Sequence, residues 1–564
     1  MATSAAPDRD RDLLSAQEAR TLARRAKDAA PRLAELSQAQ IDAIVDAAAA
    51  AATAHAEPLA RMAHEETGYG VVADKIQKNL FASDKVYRFI RPMKTVGIVA
   101  RHDDRKVIEI AEPFGVVAAI VPSTNPTSTA IYKILIALKA RCPIVISPHP
   151  SAARSITRVA EVMCEAACRA GLPDGAINWM TTVTLEGTQE LMKARETAVI
   201  LATGGMGLVR AAYSAGKPAY GVGPGNAPCF IERSANVPKA VADIITGKTF
   251  DHGVLCSSPN SVIMDAPIAE EAKREFRARG GHFLSAAETD QLAKTLVTPQ
   301  RLPNPKMVGK SAIVVAGIAG ITVPEGTRVL IAELAGVGRD FPLSIEKLCP
   351  VLSSYIVRDW QEGCERSMQI LRYGGMGHTM SIHSENEAVI LEFGLKKPAF
   401  RISVNTPSTF GSIGLTTGLD PAMTLGCGGW GGNITSDNIT PKHLLNIKRL
   451  AWEINPVTER SVLPKAPARA DAPGISAEAL SSRIDAFLSS RGITAPAAAA
   501  PAERPAPTER AEPQRAAEFV CEADVREAIA QKRTIVIGEK TIVTPAARDL
   551  GQAQKVFVQA GWRV

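Results

Sequence analysis

The sequence predicts an α/β protein built on parallel sheets, with a flexible C-terminal extension. Three observations predict it. From residue 116 to a helix that starts at about 207, short apolar strand-like runs alternate with longer helical patterns, as in chains that cross over between parallel strands. A second α/β texture follows from about 227 to 424. Near Pro464 the composition turns Pro- and Ala-rich, and such segments hold too few apolar residues to bury a core.

With 564 residues the chain exceeds one ordinary core, so several domains are expected. Hydrophobic content of 46% and charged content of 22% are those of a globular protein. The net charge of +7 is not gathered into a basic block and aromatics are 5%, which excludes a nucleic-acid footprint. Nine cysteines at irregular spacing, without CxxC or a Cys/His zinc pattern, point to free thiols in a reducing compartment and to no metal. The polar stretch 1–12 is no secretory signal. No apolar run approaches ~20 residues, so no membrane span is expected and a cytoplasmic protein is the default.

The pattern is helical over 12 to about 28. Ser37-Gln38-Ala39-Gln40 then reads as a capping box opening an Ala-rich helix to about 56. Helical patterning continues to about 89. Val96-Gly97-Ile98-Val99-Ala100 and Lys106-Val107-Ile108-Glu109-Ile110, separated by polar residues, read as a hairpin. Strands follow at 116–121, 144–146 and 199–201, with helices over 128–140, 151–170 and from about 207. The second region is expected to hold a helix at 269–279 and strands at 312–315 and 328–331. Residues 438–454 read as a helix with a returning strand. Within the Pro/Ala-rich stretch 464–517, the island 476–491 carries Leu480, Ile484, Phe487 and Leu488 as a helical stripe. In the last segment, 518–564, Val525 and Ile529 look helical. There Thr534-Ile535-Val536-Ile537-Gly538 and Thr541-Ile542-Val543 look like two strands around a tight turn.

The chemistry is expected at Phe250-Asp251-His252-Gly253-Val254-Leu255-Cys256-Ser257-Ser258, where small residues surround a thiol. A thiolate attacks carbonyl carbon well, whereas a lone cysteine is more often a small core hydrophobe. No GxGxxG follows the first strand of the parallel region, and Gly221-Val222-Gly223-Pro224-Gly225 reads as a loop. Thr203-Gly204-Gly205 and Ser147 stand at expected strand ends, where a dinucleotide rests on a sheet edge or where ordinary turns sit. An Asn125 amide and the Cys256 backbone N–H would suit an oxyanion; Asn before Pro is otherwise a turn former.

Several stretches together carry a resemblance: Pro113-Phe114-Gly115-Val116, Pro122-Ser123-Thr124-Asn125-Pro126, Ser147-Pro148-His149-Pro150-Ser151, Ala202-Thr203-Gly204-Gly205, Ile345-Glu346-Lys347-Leu348-Cys349-Pro350, Asn405-Thr406-Pro407-Ser408-Thr409 and Trp430-Gly431-Gly432-Asn433. Over about 16 to 455 the chain resembles the aldehyde dehydrogenase superfamily, in its CoA-acylating branch of acetaldehyde and propionaldehyde dehydrogenases from bacterial microcompartments, including those for propanediol use. The resemblance implies the aldehyde dehydrogenase fold: a Rossmann-like cofactor domain (12–95 and 111–226), an α/β catalytic domain (227–435) and a β oligomerisation arm (96–110 and 436–460). It implies Cys256 as nucleophile and Asn125 as oxyanion donor. NAD would lie on Ser123, Ser147, Pro148, Thr203, Gly204, Gly205 and Glu346, and CoA would take the acyl group. A homo-dimer or homo-tetramer is implied.

Hydrolytic members of the superfamily place a glutamate some thirty residues before the nucleophile, in a Glu-Leu-Gly-Gly context. Here that region reads Gly221-Val222-Gly223-Pro224-Gly225-Asn226, without a carboxylate. Water needs a general base; a thiol with a pKa of about 8.5 needs much less help. The absence fits thiolysis by CoA, with hydrolysis to free acid as the alternative. His252, where the branch commonly has Asn, is either structural or a modifier of Cys256, and Pro259-Asn260 replaces a usual Glu-Gln. The segments 476–491 and 518–564 resemble extensions that dock such enzymes to microcompartment shell proteins, or else form a dispensable tail. A scaffold that kept an inactive dehydrogenase fold is the reading from another class.

Overall fold

The computed structural model describes residues 10–456, 475–491 and 517–559. The chain divides into two units, Met1–Pro456 and Val457–Val564.

The first unit opens with helices Arg11–Ala34 and Gln38–Ala54. The capping box is present: Gln40 N donates to Ser37 Oγ at 3.3 Å, and Ser37 N donates to the Gln40 side chain at 2.9 Å. Ala48, Ala49 and Ala52 are buried, and their small side chains let this helix lie close to helix Ala153–Arg169. After helices Ala56–Thr67 and Val72–Leu80 comes a π-helical turn, Phe81–Val86.

A three-stranded antiparallel sheet comes next. Strand Val107–Pro113 is central, flanked by Gly97–His102 and by Leu445–Ala451. The expected hairpin is therefore joined by a strand from more than 330 residues later, with Ile447 opposite Ala111. In 438–454 the helical part is only a 3-10 turn, Pro441–Leu444, because Pro441 opens it and the strand begins at once.

Two parallel sheets carry the core. The five-stranded one runs Ile177–Trp179, Ile144–Pro148, Val116–Val121, Thr197–Thr203, Ala219–Val222 in spatial order. Every residue of Val116–Val121 is buried, as both faces of such a sheet are covered. Helix Pro126–Lys139 packs on it and is buried all round, with Pro126 at its first position. The seven-stranded sheet runs Gly281–Phe283, Val329–Glu333, Val351–Val357, Pro259–Asp265, Ala227–Ile231, Gly377–His383, Ala399–Val404.

Residues 312–315, expected as a strand, are helical within Ala312–Ile318. Ser311 caps this helix by accepting from Val314 N, and Val315 and Ala316 are buried while Ile313 and Val314 are exposed. That one-sided burial is helical rather than alternating.

In the second unit, helix Ala477–Ser490 matches the expected island. A parallel sheet of Ala517–Val520, Ile535–Val543 and Phe557–Gln559 is joined by helices Glu522–Ala530 and Pro545–Ala553. The expected pair of strands around a turn at Gly538 is one continuous strand. Its register against Ala517–Val520 shifts between Ala517 and Phe519, so the extra residues form an irregularity, not a reversal. The linker stretches 464–474 and 492–516 lie outside the described residues. Among the described residues no helix is long and apolar enough to cross a membrane.

Candidate active site

A cavity of about 470 Å³ lies beyond the carboxyl ends of the five-stranded sheet. From the central strand Val116–Val121 the chain winds outward to Ile144–Pro148 and Ile177–Trp179, then returns to the other side as Thr197–Thr203 and Ala219–Val222. The cavity sits at this change of direction, where crevices form in open parallel sheets. All nine residues singled out from the sequence line it: Ser123, Asn125, Ser147, Pro148, Thr203, Gly204, Gly205, Cys256 and Glu346.

The sheet-edge wall has a defined polarity. Thr188 gives its single hydroxyl proton to Thr184 O, and Ser147 Oγ lies 2.8 Å from Thr188 Oγ1, so Ser147 is the donor in that pair. What Ser147 offers a ligand is an acceptor lone pair. Thr203 Oγ1 is buried without a hydrogen-bond partner, a state that a ligand polar group would relieve. Gly205 begins helix Met206–Tyr213, and a Cβ there would meet nothing within 4 Å. A Cβ on Gly204 would come 2.7 Å from Leu208 Cδ2. An orphaned hydroxyl, an acceptor serine and open space at Gly205 fit a ribose-phosphate ligand such as a nicotinamide dinucleotide.

The facing wall carries Cys256. It follows a tight turn, Phe250–Gly253, in which Asp251 and His252 hold φ of 49° and 53°, a left-handed conformation uncommon for non-glycine residues. Burial first, then the negative charge of Glu346, push the Cys256 thiol up to about 12, with Arg401 opposing. Glu346 accepts from Gly225 N at 3.1 Å, and burial pushes its own carboxyl up to about 8. The glycine-rich loop is pressed against Cys256: a Cβ on Gly225 would lie 2.1 Å from Cys256 O. A longer side chain has no room at that point.

Asn125 begins helix Pro126–Lys139 but its side chain does not cap it, although Asn at that position usually does. Its Oδ1 instead accepts from Lys78 Nζ at 2.7 Å. Lys78 and its partner Asp251 gave no motif in the sequence. The available signal was two lysines three apart on one face of an amphipathic helix, Val72–Leu80. His252 does not line the Cys256 cavity. It faces a second cleft of about 410 Å³ with Asp74 and Arg328. Asn260 ties the segment after Glu346 to the helix before the Cys256 turn: its Oδ1 accepts from Lys248 Nζ and Lys347 N, each at 3.1 Å.

The cavity is thus a parallel-sheet crevice faced by a thiol, Cys256, and a side-chain amide, Asn125. Residues 11–292 match the model of the aldehyde dehydrogenase family. The crystal structure of an acetylating aldehyde dehydrogenase from Geobacillus thermoglucosidasius is 50% identical, with a TM-score of 0.79 over 80% of this chain and 100% of that one. A Rhodopseudomonas palustris propionaldehyde dehydrogenase, solved with bound CoA and an acylated cysteine, is 25% identical with a TM-score of 0.68, over 77% of this chain and 96% of that one. Among curated proteins, the bifunctional aldehyde-alcohol dehydrogenase AdhE of Escherichia coli is 41% identical over 439 residues, 77% of this chain and 49% of that protein. The chain spans about half the length of the first curated relatives it matches. The chain belongs to the aldehyde dehydrogenase family.

Proposed function

We propose that the chain is an NAD-dependent, CoA-acylating aldehyde dehydrogenase that converts a short-chain aldehyde, propionaldehyde or acetaldehyde, to its acyl-CoA. One observation supports the reading: Cys256 and Asn125 share a cavity in which, among the described residues, Glu346 is the single carboxylate, and the glycine-rich loop contributes only Val222, Gly223 and Pro224, none of them a base. NAD⁺, when bound along the sheet edge, supplies the hydride acceptor.

The chain's own residues do the rest. Cys256 gives up its thiol proton to solvent and adds as thiolate to the carbonyl carbon, an ionisation that burial opposes by holding the thiol up at about 12. Asn125 Nδ2 and the Cys256 backbone N–H hold the resulting alkoxide, a contribution of several kcal/mol in a dry site. Loss of hydride from that carbon leaves a thioester on Cys256. The CoA thiolate attacks the thioester carbon, the C–S bond to Cys256 breaks, and acyl-CoA leaves. Net, aldehyde, NAD⁺ and CoA give acyl-CoA, NADH and one proton. A CoA thiol with a pKa of about 8.5 is already partly thiolate near neutral pH and needs less help from a base than water does.

The release of free acid is the second reading, favoured by one feature: Glu346, with its carboxyl raised to about 8, is a base strong enough to activate water. NADH formation from propionaldehyde with and without CoA separates the two. Sustained turnover only with CoA, giving propionyl-CoA, supports thiolysis; turnover without CoA, giving propionate, overturns it.

For assembly, we propose a homo-dimer or homo-tetramer joined through the three-stranded arm, whose Leu450, Trp452 and Ile454 are exposed. We further propose that the enzyme is microcompartment cargo, docked to a shell protein by the tail. The support is helix Ala477–Ser490, where Leu480, Ile484 and Phe487 are 51%, 49% and 59% exposed along one stripe. Co-sedimentation with shell proteins, lost in Ile484→Glu, tests the docking.

A further inference from the structure

Behind Asn125 lies a buried charge cluster that the reaction above does not use. Helix Val72–Leu80 presents Lys75 and Lys78, only 1% and 3% exposed, to a fully buried Asp251. Lys75 Nζ lies 3.0 Å from Asp251 Oδ2, and Lys78 Nζ pairs with the same oxygen. Asp251 Oδ1 accepts from Val71 N at 2.7 Å, and Asp251 N donates to Asp74 Oδ2 at 2.7 Å. Gly70 makes room for the carboxylate, since a Cβ there would sit 1.7 Å from Asp251 Oδ1. Taking these charges out of water is expensive, and apolar residues would fill the space at less cost.

The cluster touches both halves of the reaction centre. Asp251 is five residues before Cys256 on the nucleophile segment. Lys78 also donates to Asn125 Oδ1 at 2.7 Å. An ammonium has three donors and no acceptor. The Asn125 atom facing it is therefore the carbonyl oxygen, and a flip of the amide would set NH₂ against NH₃⁺. Nδ2 is left on the side of Thr124, which lines the cavity together with Cys256. A cation on Oδ1 also polarises the amide, which makes Nδ2–H a stronger donor.

We propose that Lys78 is a positioning residue: held by Asp251, it locks the Asn125 amide with Nδ2 toward the cavity and strengthens it as the alkoxide donor. The proposal rests on the reading of Cys256 as nucleophile and Asn125 as oxyanion donor.

The test is a double-mutant cycle on the full chain, with kcat, KM and melting temperature for the parent, Asn125→Ala, Lys78→Met and the double variant. Loss of Asn125 is expected to lower kcat about 10²-fold or more. Lys78→Met is expected to lower kcat about 10-fold with aldehyde KM within about twofold, and the double variant to match Asn125→Ala within about threefold. Lys78→Arg, which keeps a donor-only cation, is expected to recover part of the lost kcat. A structural role would instead give a loss that multiplies with that of Asn125→Ala. The melting temperature is expected to fall in either case, because Asp251 loses a buried partner, and it serves to confirm that each variant is folded at the assay temperature. If Lys78→Met does not fold, Lys78→Gln, shorter and neutral, takes its place in the cycle. Multiplicative losses, or a Lys78→Met kcat equal to the parent's while Asn125→Ala is impaired, overturn the proposal alone. An unimpaired Asn125→Ala overturns the donor reading beneath it, and the proposal with it.

Discussion

The backbone N–H of Gly225 donates to Glu346 Oε1 at 3.1 Å, and the same glycine leaves no room for a Cβ beside Cys256 O. Two chain segments more than a hundred residues apart thus meet beside Cys256, one contributing bare backbone and the other a single carboxylate. That arrangement leaves the Gly225 side without a carboxylate and places the Glu346 charge where Cys256 feels it.

Glu346→Gln tests the second effect. The Glu346 carboxyl is raised from 4.5 to about 8, so it is charged only above about pH 8. There it disfavours the Cys256 thiolate. Alkylation of Cys256 by iodoacetamide is expected to run several-fold faster in Glu346→Gln than in the parent above about pH 8, and at a similar rate below about pH 7. Equal rates at high pH would contradict the placement of this charge.

The same group carries a stability signature. Between the unfolded and folded pKa the folded chain binds the extra proton, so stability falls as pH rises. The contribution is fully present below pH 4.5 and lost as pH passes about 8. Melting temperatures across that window should show Glu346→Gln gaining on the parent toward alkaline pH. A constant difference would mean that Glu346 stays solvated.

Gly225→Ala is expected to cost about 1–3 kcal/mol in urea unfolding, as overpacking does, because its Cβ would fall 2.1 Å from Cys256 O. Since the atom displaced belongs to the Cys256 peptide, the proposed mechanism expects kcat to fall at least about 10-fold as well. A variant with parental stability and turnover would show that the loop relaxes freely.

The parallel sheets were legible because buried strands read as apolar runs: Val116–Val121 was expected end to end and is found so. The run Ala312–Ile318 misled for the same reason, since a short apolar run does not choose between strand and helix; the capping Ser311 was the usable signal. Gly538 suggested a turn, yet tertiary pairing draws the chain through it as one strand. Cys256, Asn125 and Thr203, singled out from local motifs, do line one cavity. The Lys78 contact was not legible, because it exists only where a helix 47 positions upstream meets Asn125 and a left-handed Asp251.

A chain ending at Pro456 holds the five- and seven-stranded sheets, the three-stranded antiparallel sheet and every residue of the cavity. It is expected to keep kcat/KM within about twofold of the full chain while losing shell co-sedimentation. Steady-state NADH formation checks the first expectation, and loss of turnover on truncation would make the tail part of the enzyme.

The most direct test is intact-mass analysis of the full chain after propionaldehyde and NAD⁺ are added without CoA. The account predicts one propionyl group, mapped to Cys256, absent in Cys256→Ala, and released as propionyl-CoA when CoA is added. No adduct, an adduct on another residue, or release to propionate as fast without CoA as with it would contradict it.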